Sequence, residues 1–227
     1  GKVTRASRPC PPVKEHMLGV FKPLNKDSEI HRHHRNLPHW QQPDCTYFIT
    51  FRLADSLPQN ELKLLMAERE SWLRAHPEPW APSTQEVYRA LFTERIQEWL
   101  DQGHGGCLLG HPKTGSIAEQ ALLHFDMTRY ALDAYVIMPN HVHALIQPAK
   151  NQTLPTILHS WKSYSAHAIN EATNRNGTVW MDEYFDHAVR SGDQLEHFRR
   201  YILENPSKAG LKTGFRSGSG SGIRLNE

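Results

Sequence analysis

The stretch AYVIMPNHVHALIQP, residues 134–148, restricts the fold more than any other part of the chain. Two short apolar runs, RYALDAYVIM (129–138) and HVHALIQ (141–147), are separated only by Pro139 and Asn140. A joint of that length has no room for a crossover helix, so the runs must pair as antiparallel neighbours. Side chains two apart on a strand share a face. His141 and His143 therefore stand side by side. Paired imidazoles are the beginning of a metal site, but an HxH strand also occurs with no metal. A third ligand would have to come from another element.

Around this hairpin the pattern alternates between strand and helix periods. CTYFITFRL (45–53) sets Cys45, Tyr47, Ile49, Phe51 and Leu53 on one side and Thr46, Phe48, Thr50 and Arg52 on the other. The second side is mixed: it either touches a nucleic acid or lies under a helix. Helices are expected over 59–76, 83–103, 116–126, 154–173 and 191–210. The second opens on a capping-box spacing, Ser83 with Glu86, and the last opens on Ser191 with Gln194. GGCLLG (105–110) reads as a short strand, and TVWMDEYFDHAVR (178–190) as irregular or weakly extended. No internal repeat is visible. The order predicts an α+β fold with a central antiparallel sheet covered largely on one face.

Composition narrows the class of protein. Of 227 residues, 38% are hydrophobic and 22% charged, ordinary for a globular chain, and no apolar run reaches membrane-span length. The N-terminal residues lack the apolar stretch of a signal peptide. Cys10, Cys45 and Cys107 form no CxxC pair, so they are expected to be reduced thiols in a cytoplasmic protein. Net charge is only +2, yet the first forty residues hold eight Lys/Arg against three acids. Residues 1–43 are read as a basic, irregular arm. Such an arm suits phosphate backbones, and a solvated polar terminus fits the composition equally. HRHHRNLPHW (31–40) crowds its histidines without a recognisable ligand spacing, which favours a nucleic-acid-facing or solvated segment over a metal site. RSGSGSG (216–222) reads as flexible linker, so 213–227 is expected to be a tail, natural or added.

The third ligand has a candidate in YILENP. Tyr201 and Asn205 are spaced i, i+4, on one helical face, provided the helix survives to the residue before Pro206. A carboxamide oxygen beside two imidazoles suits a divalent cation, Mg²⁺ or Mn²⁺, with positions left for a phosphate oxygen. A phenol beside that cation is a nucleophile toward a phosphodiester. Tyr164 is the rival, but the residue four further on is Ala168, which supplies no ligand. Lys162, Arg190, Arg52 and His187 are candidate DNA contacts; a solvated face or a buried hydrogen bond accounts for each as well. Trp161 and Trp180 are expected in the core, with base stacking the lesser reading.

Four segments, MPNHVHALI, ILHSWKSYSAHAIN, VWMDEYFDHAVR and YILENPSKAGL, resemble in order and spacing the REP-associated tyrosine transposases. These are relatives of the single-tyrosine HUH transposases of bacterial insertion sequences. The resemblance runs from about residue 40 to 211. It implies a ferredoxin-like α/β sandwich at 44–212, with a helical insertion near 59–103. It implies His141, His143 and Asn205 as ligands of a divalent cation and Tyr201 as the nucleophile. The implied activity is single-strand DNA cleavage and strand transfer through a 5′-phosphotyrosine. The implied substrate is single-stranded or hairpin DNA of the repetitive extragenic palindrome type, acted on by a monomer or homodimer. A non-catalytic palindrome-binding protein descended from a transposase is the alternative.

Overall fold

A computed structural model describes residues 19–25, 31–34, 38–42, 44–77 and 80–225. His31–His34 (β1) and Pro38–Gln41 (β2) pair as a two-stranded antiparallel ribbon. Tyr47–Leu53 is β3. The segment that follows carries Gln59–Ala75 (α1), Pro82–Tyr88 (α2), a π-helical stretch Arg89–Glu94, and Arg95–Asp101 (α3). Pro112–Leu123 (α4), Tyr130–Ile137 (β4), His141–Pro148 (β5), Leu154–Thr173 (α5) and Trp180–Ala188 (β6) come next. Gly192–Lys208 (α6) and Arg216–Ser219 (β7) complete the set.

The main sheet has the order β6-β3-β5-β4-β7, and every pairing in it is antiparallel. From β3 through α4, β4, β5 and α5 to β6 the chain runs βαββαβ, with the last strand beside the first and the third between first and second. That is the split-βαβ, ferredoxin-like arrangement within an α+β fold. The sequence-based expectation holds at this level.

Strand alternation sorts the side chains between two cores. Tyr47, Ile49, Phe51 and Leu53 of β3 and Val142, Ala144 and Ile146 of β5 pack with α4 and α5. Phe48 and Leu145 point the other way, into a core shared with Leu195 and Ile202 of α6. The expectation of a sheet covered on one face is therefore corrected: α6 covers the second face. The mixed side of β3 lies under that helix. The helices between β3 and α4 have their own core, made of Leu57, Leu62, Leu65, Phe92, Ile96 and Leu100.

Four local expectations change. The helix expected over 83–103 is divided by the π-helical turn, whose wider i→i+5 bonding shifts the face of everything after it. GGCLLG is no strand; Leu108–Gly110 is a 3₁₀ turn that fixes its backbone to Pro139 through the Leu109 amide (3.0 Å). The stretch 178–190, read as irregular or weakly extended, contains a regular edge strand, β6, paired with β3 and shifted in register between Phe51 and Leu53. The expected flexible tail contains β7, paired to β4. Its glycines are selected by close approach: a Cβ on Gly220 would lie 2.6 Å from the Leu132 carbonyl oxygen. Part of the segment read as an arm packs against the sheet. Residues 1–18 lie outside the described residues, whereas Phe21 and Leu24 are buried in the two main cores. The side chains of HRHHRNLPHW lie outside them as well.

Candidate metal and nucleophile site

β5 delivers His141 and His143 onto the α6 face, and both are fully buried. Their Nε2 atoms are 3.0 Å apart. Asn140, in the tight turn before β5, gives its amide nitrogen to the His104 carbonyl (3.1 Å) and so turns its oxygen toward His141 Nδ1 (2.7 Å). Burial pushes the His141 pKa down to about 3, so this ring is neutral. A neutral ring facing an amide oxygen must carry its proton on Nδ1, which leaves a lone pair on Nε2, the form that binds a metal. His143 is likewise held well below the usual histidine range, by burial first and by His141 second. Its Nδ1 shares a 2.7 Å hydrogen bond with Thr50 on β3.

α6 supplies the rest. Ser191 caps it by accepting from the Gln194 amide (3.2 Å), and Leu195 and Ile202 are fully buried against the sheet. Each such side chain contributes about 1.5–3 kcal/mol relative to exposure. Phe198 stacks on Phe48 at 4.4 Å between centroids. One turn on, the Tyr201 ring meets the edges of Phe48 (5.6 Å) and His143 (5.3 Å). The helix runs through Pro206 to Lys208, and the Asn205 carbonyl accepts from the Ala209 amide (3.0 Å). Proline costs a helix its N–H bond and crowds the carbonyl four residues back, but here the helix continues past it, so the i, i+4 alignment of Tyr201 and Asn205 survives. Asn205 is fully buried, and its Oδ1 has no hydrogen-bond partner among the described residues.

One further group was not foreseen. Asp101, the last residue of α3, lies with its Oδ1 at 3.8 Å from His141 Nε2 and 3.5 Å from Asn205 Nδ2. One ligand atom from each of Asp101, His141 and His143 falls within 4.8 Å of the others. Burial raises the Asp101 carboxyl to about 6, against the opposing effects of Asn205 and Lys208. The only sequence signal was an acid in the last turn of a helix, where it opposes the helix dipole. Burial, and then the Asp101 charge, raise the Tyr201 phenol above its ordinary value, while Asn205 acts the other way.

The donor set fits a divalent cation. Two neighbouring ligands on an octahedral ion at about 2.1 Å stand about 3 Å apart, which is the His141–His143 spacing. The buried, unpartnered Asn205 oxygen has the chemistry of a further ligand.

Of the remaining candidates, Arg52 stands opposite His141 in the β3–β5 register, and the others lie on different elements. Arg52 is 3% exposed and donates to Ser56 Oγ (3.3 Å). It faces protein, and burial pushes its pKa down to about 10. Lys162 binds the carbonyls of Met181 and Asp182 (both 2.9 Å), tying α5 to β6. His187 is on the α6 side, 3.0 Å from Gln194, and Arg190 is exposed at the start of that helix. Tyr164 is 55% exposed on α5, across the sheet from the histidines. Trp161 and Trp180 are core residues, hydrogen-bonded to Tyr130 and Ser165.

The fold and site together define an α+β domain in which a cation-type donor set adjoins a helix-borne tyrosine. Residues 114–205 match the family described as Transposase IS200 like. Over that stretch the chain is transposase-like. His141, His143, Tyr201 and Asn205 lie inside the matched stretch, and Asp101 lies outside it. No curated protein matches the chain. Among solved structures, a REP-associated tyrosine transposase bound to a REP hairpin aligns at 15% identity and TM-score 0.43, over 76% of this chain and 72% of that one. A candidate transposase from Deinococcus radiodurans R1 aligns at 15% identity and TM-score 0.28, over 70% of this chain and 89% of that one. Among the described residues, no helix is long and apolar enough to cross a membrane.

Proposed function

We propose that this chain is a metal-dependent, single-strand DNA endonuclease and strand transferase, acting on hairpin or palindromic repeat DNA. The observation that carries this reading is the meeting of Tyr201 with His141, His143 and Asn205 on one face of the sheet, inside the transposase-like stretch.

His141 and His143, through Nε2, and Asn205, through Oδ1, would hold Mg²⁺ or Mn²⁺. A cation held there would supply positive charge against the scissile phosphate and the Tyr201 phenolate. The Tyr201 oxygen attacks phosphorus in line with the 3′ oxygen. The Tyr–O–P bond forms, the P–O3′ bond breaks, and the phenol's proton ends, in net, on the released 3′ hydroxyl. The product is a 5′-phosphotyrosine that keeps the energy of the ester, so attack by another 3′ hydroxyl restores a phosphodiester without ATP. Thr50 and Asn140 hold the two rings in place. Phe48 meets the Tyr201 ring edge-on, and Phe198 stacks on Phe48 behind it.

The test is formation of a denaturation-resistant adduct with labelled single-stranded hairpin oligonucleotides in Mg²⁺ or Mn²⁺. The parent should form it, excess chelator should abolish it, and Tyr201→Phe should lose it at least about a thousandfold while keeping its fold. An adduct mapped by mass spectrometry to Tyr164, with Tyr201→Phe active, would overturn the assignment. Tight hairpin binding with no adduct in either metal would favour a palindrome-binding protein without turnover.

A further inference from the structure

We propose that Asp101, delivered by the helical insertion, is a fourth ligand of the cation, so that the site is complete only when the insertion is docked. The inference rests on the metal reading above and adds to it a residue from outside the transposase-like stretch.

Charge balance argues first. As ligands, the imidazoles of His141 and His143 and the carboxamide of Asn205 are all neutral donors, and all three residues are fully buried. A dication held by them alone would keep its whole charge in a low-dielectric pocket, and burying charge without a counter-charge is costly. Asp101 is the one carboxylate grouped with the histidine pair among the described residues. It halves the charge before any phosphate arrives, and it adds the hard anionic oxygen that Mg²⁺ and Mn²⁺ prefer over softer metals.

Position argues next. The Asp101 oxygen is 3.8 Å from His141 Nε2, within the range spanned by ligands that share one ion. It also takes the nitrogen end of the Asn205 amide (3.5 Å), which leaves the oxygen end for the cation.

The placement of Asp101 is built in. Leu100, beside it, is buried in the insertion's own core, and the chain just after it is tied to the histidine turn through His104 and Asn140. α3 therefore cannot leave the sheet without withdrawing Asp101. Ligand binding and docking are then linked, each strengthening the other by the same factor.

The experiment uses the full-length chain and Mn²⁺ alone, followed by electron paramagnetic resonance, with hydrogen exchange of residues 95–101 as a second readout. Asp101→Asn and Asp101→Ser are both expected to weaken Mn²⁺ binding at least about tenfold, as loss of a direct ligand should do no less than loss of a supporting group. His141→Ala is the control and should lose binding. Mn²⁺ should increase protection of 95–101 in the parent and leave it unchanged in both Asp101 variants. Parent-like Mn²⁺ affinity in the Asp101 variants, with binding lost in His141→Ala, would overturn the fourth ligand and leave the metal reading standing. Parent-like affinity in His141→Ala, or no Mn²⁺ binding by the parent, would overturn both.

Discussion

At the scale of single residues, the histidine pair sets a pH dependence whose sign can be worked out. His141 titrates near 6.5 in the unfolded chain and at about 3 in the folded one. Between those values the unfolded state binds more protons. Stability from this group is therefore complete above pH 6.5 and is lost as pH falls toward 3. At pH 5 the loss is about 2 kcal/mol. Asp101, raised to about 6, works in the opposite sense over the same range, so a comparison with His141→Gln isolates the histidine. In chelator, the stability of the parent should fall relative to His141→Gln between pH 7 and 5, measured by urea unfolding. Parallel pH profiles would mean that the ring is not held neutral. The pair itself was legible, because a two-residue repeat on a strand fixes a shared face whatever the rest of the chain does. Asn140 and Asp101 were not. The role of Asn140 depends on the His104 carbonyl, and that of Asp101 on how α3 docks, and neither is a spacing in the sequence.

At the scale of elements, α6 has to be held in register for Tyr201 and Asn205 to meet the histidines. Arg199 does much of this, gripping buried Asp133 on β4 with two bonds (2.7 and 2.8 Å) and also donating to the Ile223 carbonyl. Arg199→Leu leaves that carboxylate buried without its counter-charge and should cost about 3–5 kcal/mol, read as a shift in the urea midpoint. A change below about 0.5 kcal/mol would show that α6 is held by its apolar face alone. The helix was readable beforehand from its cap, Ser191 with Gln194, as was α5, found over the expected 154–173. The edge strands were not. β6 mixes acids with aromatics because it has a single strand neighbour and its side chains are mostly half-buried. Gly218 of β7 and Gly220 just after it lie against Tyr135 and Leu132, which leave no room for larger side chains. Composition alone reads β7 as linker and leaves β6 irregular or weakly extended.

At the scale of the whole molecule, the two ends of the described chain are sewn together across the sheet. The Phe21 amide donates to the Arg224 carbonyl (2.7 Å), and the Arg224 amide donates to Gly19 (2.8 Å). Gln147 of β5 bonds the same strip at Gly19 and Val20. The basic N-terminal region thus has two parts with different roles, and truncation separates them. Removing residues 1–18 deletes Lys2, Arg5, Arg8 and Lys14 and nothing among the described contacts. If these cations neutralise phosphates, the slope of log K against log salt for single-stranded hairpin DNA should become shallower by up to about 3, at about 0.7 per phosphate contact. Stability should stay the same. Removing residues 1–40 also takes Phe21 and Leu24 out of the two cores, at about 1.5–3 kcal/mol each. That is a large share of the 5–15 kcal/mol typical of a domain, so the longer truncation should lower the urea midpoint sharply. An unchanged salt slope in the shorter truncation would make its basic residues bystanders to DNA binding. Unchanged stability in the longer one would mean that the strip from Gly19 to Leu24 is not part of the folded unit.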